Sequence, residues 1–254
     1  MFLQESRLPA IAKDIRKGQG GIESLQLKIN GHRVHYLKAG SGPPVVLLHG
    51  GASDCRDWVE TMATLAHRFT FYAPDLLGFG QSERDKKGYY LTDFSDFVVG
   101  FIDALQLVKP SLVGHSFGAR VCLDTALKRQ EQVNRLILAD ASGLGKISGL
   151  GNALFTIFWA LRKLLNRPQP FPKFLAKEGD DYNRVGEDAL RKLTIPTLLV
   201  WKRHDLYLPV AIARRAEKLI PGARLVVLPG LGHAPNKQNR ETFNRLLVEF
   251  LDGG

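Results

Sequence analysis

The segment Leu112-Val113-Gly114-His115-Ser116-Phe117-Gly118-Ala119 limits this chain most. An apolar strand runs into a helix with almost no loop between them. Ser116 must therefore sit on a sharp, strained turn, and small residues two before and two after it let neighbouring elements come close. A strand that passes directly into a helix belongs to a strand–helix alternation. Such an alternation builds a mostly parallel sheet covered on both faces.

The rest of the chain supplies that alternation. Residues 22–30 and 32–38 read as strands joined at Asn30-Gly31, a strong hairpin signal. Val45-Val46-Leu47-Leu48 is an unbroken apolar run that suits a strand buried on both faces. Further strands are expected over 69–73, 111–113, 135–139, 197–201 and 224–228, making eight. Helices are expected over 53–68, 91–106, 116–128, 209–219 and 237–251. Phe94, Phe97, Phe101 and Leu105 fall at helical spacing in the second of these. Residues 1–20 read as a short amphipathic helix packed on the edge of the core.

One stretch breaks the pattern, between the strand ending near Ala141 and the strand starting at Thr197. It reads as an apolar helix over about 151–166, a Pro-rich turn at Arg167-Pro168-Gln169-Pro170, and one or two short helices. The expectation is a core domain of residues 1–145 and 191–254, with residues 146–190 inserted as a short helical cap. The cap would lie over the carboxyl edge of the sheet, where open α/β sheets bind ligands.

Composition narrows the classes. With 44% hydrophobic and 24% charged residues over 254 positions, the chain is an ordinary globular protein with a sizeable core. Its two cysteines, Cys55 and Cys122, form no framework of spacings. The amino terminus lacks the pattern of a secretory signal, so a reduced, cytoplasmic setting is expected. A net charge of +10 raises the question of nucleic acid. No basic stripe with interleaved aromatics and no nucleic-acid motif appears, so none is expected as a partner. The longest uncharged stretch that could be helical, Ile147 to Leu161, is shorter than the roughly 20 residues of a membrane span.

A serine hydroxyl becomes a nucleophile when a base takes its proton and an acid orients that base. Of seven histidines, His32, His35, His67 and His204 read as surface or packing residues. His49 shapes a turn, and His115 lies inside the elbow facing away from the serine. His233 follows the last strand in Gly230-Leu231-Gly232-His233-Ala234-Pro235, on the same sheet edge as Ser116, and is the expected base. Asp205 follows the strand 197–201 after a three-residue loop and is the expected acid. Asp140, which ends an earlier strand, is its rival. Asp75 reads as part of a tight structural turn. The oxyanion would be held by the backbone N–H groups of Phe117 and Gly51, the latter in the turn after Val45–Leu48.

With these residues in view, the chain resembles the α/β-hydrolase superfamily, in its capped esterase, lipase and C–C-bond hydrolase branch. The likeness covers about residues 22–251. It rests on Leu48-His49-Gly50-Gly51, Asp75 to Ser82, Gly114 to Gly118, Trp201 to Asp205, and Gly232-His233-Ala234-Pro235, in that order. It implies an α/β-hydrolase fold with Ser116 as nucleophile, Asp205 as acid, His233 as base, and Gly51 with Phe117 as oxyanion hole. Three departures stand out. Lys202 follows Trp201 where glycine is usual, the cap is short, and Ser116 fills the slot that epoxide- and halide-cleaving relatives give to aspartate.

The implied activity is hydrolysis of small carboxylic esters, with short to medium acyl or aryl groups, through an acyl-enzyme. No metal or organic cofactor is implied. Phe155, Phe158 and Trp159 of the cap would line an apolar substrate pocket, and its basic end allows weak contact with a membrane surface. Two alternatives stay open: a C–C-bond hydrolase of ring-cleavage products, and a small-molecule receptor with a vestigial site. Leu76-Leu77 favours the esterase over the first, because C–C hydrolases often carry a serine-proline variant of that turn.

Overall fold

A computed structural model describes residues 21–51, 53–85, 89–164 and 184–253; within 149–164 it leaves out the side chains of 154, 155, 158, 159, 162 and 163. The expected amino-terminal helix, the Pro-rich turn at 167–170 and the short helices after it lie outside the described residues.

The sheet has eight strands: β1 (Glu23–Ile29), β2 (His32–Ala39), β3 (Pro44–Leu48), β4 (Thr70–Pro74), β5 (Ser111–His115), β6 (Leu136–Ala139), β7 (Thr197–His204) and β8 (Arg224–Leu231). Their spatial order is β1-β2-β4-β3-β5-β6-β7-β8. β2 pairs antiparallel with both its neighbours, and the pairs from β4 through β8 are parallel. The first hairpin turns at Asn30 and Gly31, both at positive φ (49° and 89°), as a two-residue loop between twisted strands requires.

Alternating residues of the central strands enter two separate cores, because successive side chains on a strand point to opposite faces. Val46, Leu48, Leu112, Leu136, Leu138, Leu199 and Trp201 pack on one face, with residues of α2 (Leu91–Ala104), α3 (Phe117–Lys128) and α6 (Val210–Leu219). Val45, Leu47, Val113, Ile137, Leu198 and Val200 pack on the other. There they meet α1 (Val59–Leu65) and α8 (Arg240–Leu251), with Trp58 against Phe243. Two further helices, α4 (Gly149–Leu164) and α5 (Glu187–Arg191), lie between β6 and β7.

Several boundaries differ from the expectation. The helix expected over 53–68 begins as a 3-10 turn at Cys55–Trp58 and becomes α-helical only over α1, since Asp54 caps the tight turn by accepting from Arg56 N. β7 and β8 keep pairing past Trp201, through Lys202↔Leu228 and His204↔Leu231. Asp205 is therefore the first residue after β7, not the far end of a three-residue loop. The closing helix is broken at Asn239 (φ −127°, ψ 40°) into α7 (Pro235–Gln238) and α8.

Candidate active site

Ser116 joins β5 to α3 with φ 52° and ψ −112°, a conformation L-residues avoid and one that costs about 1–3 kcal/mol. The turn can form because its flanks are glycines. A Cβ on Gly114 would stand 2.5 Å from the Ala119 backbone, and one on Gly118 2.4 Å from the carbonyl oxygens of Leu48 and His49. β6 anchors the turn, where Ala139 O accepts from Ser116 N at 2.9 Å.

His233 and Asp205 meet this serine at the carboxyl edge. Asp205 Oδ2 lies 2.6 Å from His233 Nδ1, and His233 Nε2 lies 2.8 Å from Ser116 Oγ. A carboxylate only accepts, so Nδ1 carries the proton and Nε2 accepts from the serine hydroxyl. Such a row can take the serine proton and hand it on. Asp205 is fixed by its second oxygen, which accepts from Tyr207 N (2.8 Å) and Leu208 N (2.9 Å). The buried Trp201 indole closes the same loop by donating to Leu208 O. The Tyr207 ring stands edge-on to His233, 5.0 Å between centroids.

His115 holds more of the site than its place in the elbow suggested. Its Nε2 donates to the backbone oxygen of His233 at 2.5 Å. Burial, and then the neighbouring His233, lower its pKa to about 3, so the ring is neutral.

Asp140, the rival acid, stands farther off, with Oδ2 4.0 Å from His233 Nδ1. Its Oδ1 accepts from Lys202 N at 2.9 Å. Burial raises its carboxyl to about 7; the nearby Asp205 charge adds to the rise, and His233 and the Lys202 contacts oppose it. The charge of Lys202, a departure from the family pattern, is held by two neutral oxygens and still lowers the Asp140 carboxyl. Its buried side chain crosses to Pro229 O (2.6 Å) and Asn239 Oδ1 (2.5 Å), tying both flanks of the His233 loop to β7.

The turn after β3 abuts the elbow. A Cβ on Gly50 would lie 2.9 Å from His115 Nδ1 and 3.6 Å from Ser116 Cβ, and Gly51 is buried beside it. His49 braces this turn: Nδ1 donates to Gly50 O, and Nε2 accepts from Leu76 N. Phe117 is buried against Phe79 and Phe94.

Asp75 is the structural hub that the sequence implied. It accepts from Cys55 N, Gln81 N and His35 Nδ1. Burial pushes its carboxyl up, but the bond from His35, the nearby His49 ring and the bonds from the Gln81 and Cys55 N–H groups prevail and hold it at about 2. The sequence reading missed His35. It is buried between Ser24 and Asp75, and its alternation on β2 toward the Asp75 turn was the available signal.

Among the described residues, two groups carry metal-ligand atoms within 4.8 Å of one another: His35 with Cys55 and Asp75, and His115 with Asp140 and His233. The first is already committed to the Asp75 hydrogen bonds. In the second, His233 Nδ1 is committed to Asp205. Phe155, Phe158 and Trp159 fall on α4, and their side chains lie outside the described residues.

Residues 45–246 match the model of the alpha/beta hydrolase family. The chain belongs to that family. It is a serine hydrolase of the α/β fold. A 2-hydroxymuconate semialdehyde hydrolase of Pseudomonas sp. strain CF600 is 30% identical, over 87% of this chain and 91% of that protein. Among solved structures, a meta-cleavage product hydrolase from Pseudomonas fluorescens IP01 superposes with a TM-score of 0.75 at 26% identity, covering 90% of this chain and 97% of that one. A carboxylesterase from Bacillus subtilis gives a TM-score of 0.78 at 20% identity, covering 92% of each chain, and bears on the fold alone. No helix among the described residues of this α/β hydrolase is long and apolar enough to cross a membrane.

Proposed function

We propose that this α/β hydrolase is a carboxylesterase acting on small esters with short to medium acyl or aryl groups. The observation that carries the reading is the hydrogen-bonded row from Ser116 Oγ through His233 to Asp205. Ser116 Oγ attacks the ester carbonyl while His233 Nε2 takes its proton. The N–H groups of Gly51 and Phe117 receive the oxyanion, and the imidazolium is held by Asp205. His233 gives the proton to the departing alcohol. Water then attacks the acyl-enzyme by the same route, releasing the acid and restoring the serine.

The Tyr207 ring beside His233 suits an uncharged acyl or aryl group. Residues 146–190 would act as the cap, with core 1–145 and 191–254 beneath, and Phe155, Phe158 and Trp159 would face the substrate. Leu150, Ile157, Leu161 and Leu164 are exposed at spacings that share one face of α4, which supports weak contact between the cap and a lipid surface. Co-sedimentation with anionic vesicles tests that contact; a protein left wholly in the supernatant overturns it. A cytoplasmic setting is supported by the two cysteines, which are free and buried in different cores.

A second reading, C–C-bond hydrolysis of a ring-cleavage product, is favoured by the relative that is 30% identical. Nitrophenyl esters of increasing acyl length and a ring-fission dienoic acid, each given to wild type and Ser116→Ala, separate the two. The ester reading expects turnover of the esters that Ser116→Ala abolishes. Turnover of the dienoic acid alone would replace it with the second reading.

A further inference from the structure

We infer that Asp140 is a positioning residue for His233: a second carboxylate that supports the imidazolium from beside Asp205. The inference rests on the serine-hydrolase reading above. Asp140 follows β6 directly with φ 40°, a left-handed conformation, and its side chain is fully buried. The backbone is strained and a carboxyl group is removed from water, and both are costly. One oxygen is explained by the bond from Lys202 N, which an asparagine would accept equally well. The other, Oδ2, has no hydrogen-bond partner among the described residues and stands 4.0 Å from His233 Nδ1. What the carboxyl adds over an amide is its charge, aimed at the one ring that becomes positive in the reaction.

The titratable and charged groups around Asp140 come from three elements. His233 faces it from the loop after β8, Asp205 and Lys202 from the end of β7, and His115 from the end of β5. His115 is neutral, and the Lys202 ammonium, bonded to Pro229 O and Asn239 Oδ1, moderates the rise of the Asp140 carboxyl. The pair that matters is therefore Asp140 with Asp205, sharing His233. Burial keeps Asp140 protonated up to about pH 7. Below that pH Asp205 alone supports the imidazolium, and above it both carboxylates do.

The test is a set of pH–rate profiles on a nitrophenyl ester for wild type, Asp140→Asn, Asp205→Ala and the double variant Asp205→Ala/Asp140→Asn. Wild type is expected to gain activity in two steps, the upper near pH 7. Asp140→Asn should lose the upper step and about tenfold in kcat, one pKa unit's worth of differential support, with KM held within about twofold. In Asp205→Ala the Nδ1 proton is freed to turn toward Asp140, so the double variant should fall at least about tenfold below Asp205→Ala. Asp140→Ser, which can still accept from Lys202 N, replaces Asp140→Asn if that variant does not fold. A neutral residue at 140 that keeps the wild-type profile, with the double variant equal to Asp205→Ala, overturns the inference. Full turnover in Ser116→Ala, run alongside, would overturn the serine-hydrolase reading instead.

Discussion

Ser116 Oγ and His233 Nε2 lie 2.8 Å apart although 117 residues separate them along the chain. The contact depends on two strand ends. β5 stops at His115 and delivers the serine into a turn, and β8 runs to Leu231 and leaves only Gly232 before the histidine. His115 Nε2 then pins the His233 backbone from the serine side.

The two acids should separate by the size of their effect. Asp205→Asn removes the group that holds the Nδ1 proton and is expected to cost about 10⁴ in kcat. Asp140→Asn is expected to cost far less. Steady-state kinetics on one ester decides, and a larger loss at Asp140 would reverse the assignment of the acid.

Asp140 also makes stability fall with pH. Its carboxyl titrates near 7 in the folded chain against an ordinary 3.8. Between those values the folded state holds a proton that the unfolded state has released, so stability drops as pH rises through the window. Asp140→Asn removes that term. Urea unfolding should therefore show the variant gaining on wild type from pH 4 to pH 7, by an amount on the order of a few kcal/mol at most.

Lys202 couples stability to turnover. Lys202→Met keeps the buried stem but removes the ammonium from Pro229 O and Asn239 Oδ1. The expected cost is about 1–3 kcal/mol by denaturant unfolding. kcat should fall more than KM changes, because the loop carrying His233 loosens.

The elbow glycines answer to packing alone. Gly118→Ala drives a methyl to 2.4 Å from the carbonyl oxygens of Leu48 and His49, which are backbone atoms with nowhere to go. The variant should lose about 3 kcal/mol or more in thermal or denaturant unfolding. Near-wild-type stability would mean that β3 and α3 are not packed as described.

The strands and the two-sided core were legible because alternation and unbroken apolar runs are local signals. Val45 to Leu48 could only be a strand covered twice, and it feeds both cores. Ser116, Asp205 and His233 were legible because each follows an apolar run that ends at the same edge. The length of β7 and β8 was not, since Lys202 to His204 and Pro229 to Leu231 look like loop residues until paired across the sheet. The buried roles of His35 and His115 escaped for the same reason: their partners, Asp75 and the His233 carbonyl, are distant in sequence.

The central claim is that Ser116 carries the acyl group. Acid-quenching the enzyme during turnover of a nitrophenyl ester and mapping the adduct by peptide mass spectrometry tests it directly. The account predicts one acyl group on the peptide containing Ser116, at the serine oxygen, and no adduct with Ser116→Ala. An acyl group on another residue, or a Ser116→Ala enzyme that still turns over, would contradict it.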